Sequence, residues 1–409
     1  MRLARSGAHL TYCTNIHPGE TWANVKALLE RDVIAVKGLV APTAPFGVGL
    51  RLSAAAAQGL ADPAARAWLA QFLAQRGLYL FTINAFPYGP FHGQPVKEAV
   101  YRPDWLEPER LAYSNLVATL LAELLPRDEA TGLPIAGSVS TVPGGFRPRG
   151  DERGICAMGH AIGRHAAHLL ALRERTGAAI GLAIEPEPAC AVETTAEAAA
   201  FIETHVFGGD GRRAFEAATG LTAGHAESAL RAHVGVCLDA CHAAVEFETP
   251  TEGVDLLEKA GIAIFKLQVS TGLRIVAPDR EKLAALARFA EGVYLHQVVI
   301  RRGDALERFV DLPEALARAS GTSHDEEWRV HFHVPVFRSA LGPFENTGGF
   351  LTDLLTRAAK RPFTQHLEVE TYTFGVLPEE FRGEPAPRAI ARELAWTCAA
   401  LGETLEDKR

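Results

Sequence analysis

The chain has 409 residues, 48% of them hydrophobic, a formal net charge of -8 and six cysteines. This composition supports a large globular core, the acidity argues against a general nucleic-acid surface, which needs a basic field, and cysteines scattered without CxxC pairs argue against a disulfide scaffold. No apolar run reaches the roughly 18 residues of a membrane span, and the opening residues lack a signal-peptide core, so the expectation is a cytoplasmic protein whose partner is a small molecule.

The length allows two average domains or one barrel with insertions. Residues 9–15 alternate as a strand, with His9, Thr11, Cys13 and Asn15 on one face, and run into a polar loop holding His17. A helix over 22–29 precedes a strand over 46–53, which carries small or polar residues at 47, 49, 51 and 53, Arg51 among them. The alanine-rich stretch 54–76 reads as a helix closed at Gly77, and 78–84 as a third strand ending in Asn84. Its exit loop holds Phe86, Tyr88, Phe91 and His92; aromatics clustered in a loop either wall a pocket or pack the loop onto a rim. The location on the barrel mouth predicts that these four line a pocket entrance.

After a helix over 108–125, the strand 135–141 puts Ser138 and Ser140 on a small face and leaves through a loop with Arg147 and Arg149, which hold either an anion or water. The helix 154–175 carries His160, His165 and His168 outside the predicted barrel, so these are not read as metal ligands. The strand 180–184 has Ile180, Leu182 and Ile184 on an apolar face and Gly181 and Ala183 on a small face that ends in Glu185; Thr194 and Glu197 then fit a capping box.

The strand 234–239 repeats this design: Val234, Val236 and Leu238 face one way, Gly235 and Cys237 the other, and the small face ends in Asp239 with His242 beyond. An apolar face suits covering helices, a small face suits a crowded barrel interior, and an acid at the carboxyl end suits an active-site mouth. The same pair also reads as an Asp capping the next helix beside a surface His. A helix over 252–260 leads to a strand over 263–270 with Phe265, Leu267 and Val269 on one face and Lys266, Gln268 and Ser270 on the other. Beyond a helix at 280–291, the runs 293–300, 329–337 and 366–373 all read as strands. The last is assigned to the barrel and the other two to an insertion of about 292–345 between strands seven and eight, with 301–328 as loop and short helix. His331 and His333 share one face, as do His366, Glu368 and Glu370, and 385–405 supplies a closing helix and tail.

Strand–helix alternation without a linker predicts one (β/α)8 TIM barrel over 1–409, and acids at strand ends predict a shared mouth for Glu185, Asp239, His242, His333 and Glu370. Carboxylates with imidazoles suit a divalent ion such as Mg, Mn or Zn.

The same residues carry a resemblance. The segments 235–242, 184–185 and 367–371 are similar to the xylose isomerase-like TIM-barrel superfamily, which includes sugar isomerases, epimerases and endonuclease IV. The segments 9–20, 86–89, 331–335 and 366–373 resemble the EboE family of metabolite traffic proteins, a likeness spread over nearly the whole chain. The resemblance implies metal ligands at Glu185, Asp239 and Glu370, with His242 matching an additional His of the endonuclease-type motif. Gln268 stands where the seventh strand is expected to offer His, so Gln268, His333 or His296 completes the set. Glu185, Glu370 and His242 are the implied catalytic groups; candidate substrate contacts are Asn15, His17, Arg51, Asn84, Phe86, Tyr88, His92 and Lys266. The expected function is a metal-dependent isomerase or epimerase of a sugar or cyclitol, with or without phosphate, in metabolite biosynthesis or traffic. The alternatives are a metal-dependent phosphoester hydrolase and a barrel that binds a metabolite without turnover.

Overall fold

The computed structural model describes residues 1–319, 321 and 323–404. The chain lays down seven parallel strands: β1 (His9–Tyr12), β2 (Phe46–Arg51), β3 (Leu78–Asn84), β4 (Gly137–Thr141), β5 (Ile180–Ile184), β6 (Val234–Asp239) and β7 (Ile264–Val269). It then builds an antiparallel sheet from β8 (Leu273–Val276), β9 (Val298–Arg302), β10 (Ala305–Phe309), β11 (Glu326–Val330), β12 (Ala340–Leu341) and β13 (Phe344–Asn346). The helix Gly348–Lys360 returns the chain to β14 (His366–Val369), which slots between β1 and β7 as the eighth barrel strand. With helices between the strands, this is a (β/α)8 barrel carrying a second sheet. No described helix is long and apolar enough to cross a membrane.

β1 and β2 are the two ends of the hydrogen-bonded order, and side chains close the ring there. Thr11 Oγ1 donates to the Gly47 carbonyl (2.7 Å) and accepts from the Gly49 N–H (3.0 Å), while Thr14 Oγ1 accepts from the Arg51 N–H (2.8 Å). Threonine hydroxyls thus supplement the single parallel bridge between Cys13 and Gly49 where the strands splay. Gly49 is needed at this seam, because a Cβ there would stand 2.0 Å from Glu368 Oε1 and 2.5 Å from the Tyr12 carbonyl.

Alternation separates the barrel's two surfaces. Leu50, Val139, Leu182, Val236, Leu267 and Leu367 are buried in the main core under the helices, each such side chain contributing about 1.5–3 kcal/mol. The inward positions are small or polar, as the sequence pattern predicts, with one correction: Phe265 does not face outward with Leu267 and Val269. The β6–β7 register skips it, pairing Val236 with Ile264 and Cys237 with Lys266. This bulge turns the Phe265 ring inward, to about where Cβ atoms on Gly181 and Gly235 would lie. A second bulge in the β2–β3 pairing does the same with Phe81, whose ring fills the space beside Gly47. Two phenylalanines therefore close the barrel floor, and residues without side chains receive them.

Other elements depart from the sequence pattern for local reasons. The predicted helix 54–76 is two, Ala54–Leu60 and Pro63–Arg76, because Asp62 caps the second and Pro63 opens it. Thr194 accepts from the Glu197 N–H, but the Glu197 carboxylate takes the Glu193 N–H, so only half of the capping box forms. The inserted sheet starts at Leu273 rather than near 292: β8 follows β7 so closely that it reads as the tail of the seventh strand, and the helix Arg280–Leu286 belongs to the insertion. β9 folds back on β10 across Gly303 (φ 57°), in a stretch that reads as loop. The predicted strand 329–337 ends at Val330, after which the His331 and Val334 amides donate to the Gln297 and Thr271 carbonyls, outside any sheet. Trp328, Phe289, Phe332 and Phe344 give the insertion its own apolar core.

Candidate metal centre at the barrel mouth

At the carboxyl ends of the strands the inward faces finish in acids. Glu185 follows β5, Asp239 ends β6, Glu370 follows β14, and all three are buried. Their ligand atoms lie within 4.8 Å of one another, as do those of Asp239, His242 and His333, and of Glu187, His242 and His331. The insertion supplies the two late histidines and the barrel supplies the rest.

Local bonds fix how each group is aimed. Asp239 Oδ1 accepts from the N–H groups of Cys241 (2.7 Å) and His242 (3.0 Å) and from the Ser270 hydroxyl (2.7 Å), while Oδ2 has no partner among the described residues. Asp239 therefore caps the next helix through Oδ1, as the alternative reading expects, but His242 is buried rather than on the surface, and Oδ2 is left free for the mouth. His333 Nδ1 faces the Glu370 carbonyl at 2.8 Å; a carbonyl only accepts, so Nδ1 carries the hydrogen and the unpartnered Nε2 is a lone pair, 4.0 Å from Asp239 Oδ2. Glu370 Oε1 accepts from Asn15 Nδ2 (2.7 Å) and Asn84 Nδ2 (3.1 Å). Glu185 Oε2 is buried without a partner, as are both amide atoms of Gln268.

A second cluster adjoins the first. His242 Nδ1 donates to the Pro186 carbonyl (2.9 Å). Gln297 Nε2 faces only oxygens, Tyr101 Oη (2.6 Å), Glu187 Oε1 (3.2 Å) and the Pro188 carbonyl (3.1 Å), so its Oε1 accepts from His331 Nδ1 (2.7 Å). The Nε2 atoms of His242 and His331 are left facing each other at 3.0 Å, a repulsive contact unless a proton or a cation lies between them.

The electrostatics agree. Burial, then the neighbouring Glu370 and Asp239 charges, push the Glu185 carboxyl well above the usual range; burial and Asp239 do the same to Glu370. Burial would also raise Asp239, but the facing His242 and His333 rings and the bonds it accepts hold it below its ordinary value. Burial lowers His333 to about 4 and His331 well below its ordinary value, so both rings are neutral near pH 7. Crowded carboxylates, neutral imidazole lone pairs and orphaned oxygens in one buried space fit a divalent cation.

A cleft opens onto these groups, lined among others by Asn15, Asn84, Phe86, Phe91, Glu185, Glu187, His242, His331 and Glu370. Of the four loop residues expected at the entrance, Phe86 and Phe91 line this cleft; Tyr88 packs edge-on against Tyr113, and His92 bonds Glu20 (3.3 Å). His17 bonds the Tyr12 hydroxyl (3.1 Å), Arg51 pairs with Glu20 (2.9 Å), and Lys266 is buried in an ion pair with Glu368 inside the barrel. Both His296 nitrogens are engaged, by the His331 carbonyl (3.1 Å) and Glu291 (2.9 Å), so this ring does not enter the cluster. The outer-helix histidines also have local partners: His165 bonds Asn115 Oδ1 (2.7 Å) and His168 the Asn115 carbonyl (3.1 Å). Glu187, His331, Tyr101, Gln297 and Tyr372 were not among the candidate residues. The Glu-Pro-Glu run after β5 and the alternation of 331 with 333 were the available signals for two of them.

No family model and no curated protein sequence matches the chain. Among solved structures, an IolI protein with a bound zinc atom is similar over 96% of this chain and 98% of that one, at 12% identity and a TM-score of 0.45. A structure of L-ribulose 3-epimerase aligns over 97% and 95%, at 13% identity and a TM-score of 0.47. A probable 3-DHS dehydratase, AsbF, from Bacillus anthracis aligns over 95% and 97%, at 10% identity and a TM-score of 0.43.

Proposed function

We propose that this barrel is a metal-dependent isomerase or epimerase of a polyhydroxylated metabolite, of the EboE type within the xylose isomerase-like superfamily. The observation that carries the reading is the convergence of buried donors without partners, Glu185 Oε2, Asp239 Oδ2, His333 Nε2 and Gln268 Oε1, at the carboxyl ends of the strands. Glu185, Asp239, Glu370 and His333 would hold one divalent ion, with the Gln268 amide oxygen in reserve; Glu187, His242 and His331 would hold a second. An ion bound there withdraws electron density from adjacent substrate oxygens and acidifies the C–H between them.

The chain's own groups do the rest. Glu185 and Glu370 follow different strands at the mouth, which suits one to take a proton and the other to return it. Asn15 and Asn84 keep Glu370 oriented. Tyr372 Oη lies 3.3 Å from His331 Nε2, and burial, then the Glu187 charge, hold its phenol protonated, so it serves as a hydrogen-bond donor toward substrate oxygen.

A second reading, phosphoester hydrolysis, is favoured by one feature, the adjacency of two clusters that share His242, which suits activation of water between two ions. Elemental analysis of the purified protein supplied with Mn or Zn, with and without Asp239→Asn and Glu185→Gln, is the first test. The wild type is expected to retain ion that the double variant loses; equal content in both would overturn both readings and leave a metabolite-binding barrel. Solvent exchange at a substrate C–H then supports isomerisation, and phosphate release supports hydrolysis.

A further inference from the structure

We propose that the cleft takes an uncharged molecule with a hydroxylated or keto-bearing head and an apolar body, a hydrocarbon or aryl group, and discriminates against sugar phosphates. The head rests on the metal-centre reading; the apolar body and the absence of charge rest on the walls.

The apolar and aromatic part of the cleft lining includes Phe86, Phe91, Val96, Val100, Tyr294 and Leu295. Filling this part with hydroxyls would strip them of water and offer only the Tyr294 hydroxyl in return, whereas an apolar group gains by the same burial. Phe91 lies with its ring centroid 4.9 Å from that of Tyr294 and 5.3 Å from that of Tyr372, so the loop after β3 and the insertion form one continuous aromatic wall above the acids.

A phosphate needs free cationic or N–H donors, and the ones near the cleft are engaged. Among the described residues Lys97 is the one Lys or Arg lining it, and its ammonium donates to the Glu291 carbonyl (3.2 Å), the Tyr294 carbonyl (2.6 Å) and Asp311 Oδ2 (2.7 Å). Both Nη atoms of Arg51 are held, by the Gly19 carbonyl (3.3 Å), Glu20 (2.9 Å) and the Gly89 carbonyl (2.6 Å), and only its Nε, buried away from solvent, has no partner among the described residues. Arg110 is fully buried on the carbonyls of Pro103 (2.8 Å), Ala85 (2.8 Å) and Phe86 (3.1 Å). The loop amides of Phe91 and His92 both donate to Glu20 Oε1, at 2.9 and 3.2 Å. Four carboxylates, Glu185, Glu187, Asp239 and Glu370, already match the charge of two divalent ions, so a phosphate dianion would enter uncompensated.

The test measures binding of one sugar in four forms, the free sugar, its phosphate, its methyl glycoside and its phenyl glycoside, to the intact protein by calorimetry, with Mn present and after chelation. The phenyl form is expected to bind about tenfold or more tighter than the methyl form, and the phosphate no better than the free sugar. Tyr294→Ala is expected to remove most of the phenyl preference while leaving methyl-glycoside binding within about twofold. Tighter binding of the phosphate, an unchanged phenyl preference in Tyr294→Ala, or no binding of any form would overturn the proposal. Methyl-glycoside binding that is unchanged by chelation, with the phenyl preference intact, would uphold the apolar cleft while removing the metal-centre reading of the head.

Discussion

Asp239 divides its carboxylate between folding and the site, and a substitution can separate the two. Asparagine keeps an oxygen to accept from Cys241 and His242, so Asp239→Asn should leave the helix Ala240–Val245 capped, while its amide nitrogen cannot take the place of the anionic Oδ2. We expect Asp239→Asn to lose bound ion with little change in melting temperature, and Asp239→Ala to lose the ion and about 1 kcal/mol more stability; denaturant midpoints beside metal content check this. Gly49→Ala should destabilise by about 2–5 kcal/mol, since its Cβ has the Tyr12 carbonyl and the Glu368 carboxylate in its path; a denaturation curve unchanged from wild type would contradict the seam geometry. At this scale Glu185, Asp239 and Glu370 were legible because each ends an alternating strand. Glu187 was not, because Pro186 takes the chain out of the strand and alternation no longer says where the next side chain points. Tyr372 likewise sits in a short 3-10 turn, where period two has no meaning.

Among elements, the closing helix Ala386–Ala400 bears on stability through Glu393. Its carboxyl accepts from the Thr371 hydroxyl (2.7 Å) and the Val336 N–H (3.2 Å), joining the helix to the segments after β14 and His333. Burial raises it from 4.5 to about 7 despite those bonds. A folded-state value above the unfolded one means that its favourable contribution is complete below about 4.5 and is lost as pH rises through 7, a change of about 3 kcal/mol. Glu393→Gln should therefore remove the part of the loss that falls between pH 6 and 8.5, read as wild-type and variant melting temperatures that diverge as pH rises; parallel curves would refute it. Most barrel strands and helices were legible from periodicity. The bulges at Phe81 and Phe265 were not, because the extra residue shows only when two strands are laid side by side. β8 was hidden because a strand that turns at once into another sheet continues the same apolar run.

For the molecule as a whole, removal of the proposed ion leaves Glu185 and Glu370 needing protons, since burial and mutual charge hold both carboxyls well above their usual range. Metal-free protein should thus lose stability as pH rises above about 5, while the loaded form does not, and the gap between their melting temperatures should widen by about 3 °C or more from pH 5 to 8. Calorimetric scans with Mn and with chelator, across that range, measure it; a gap independent of pH would count against a cation among these acids. The barrel was legible in the sequence, and so was the segment that fills its eighth place: of the late strand-like runs, 366–373 is assigned to the barrel, and β14 pairs there with β1 and β7 while β9 and β11 pair within the inserted sheet. That pairing has a bearing on how the chain is made. β1 rests its full ladder on β14, and its other side holds β2 mainly through threonine hydroxyls. On a ribosome adding about 5–20 residues per second, the wait from β1 to β14 is roughly 20–70 s, during which a growing, unclosed sheet has bare edges. Nascent chains stalled just before Thr364 should accordingly be caught by chaperones or by one another, and those released after the closing helix should not.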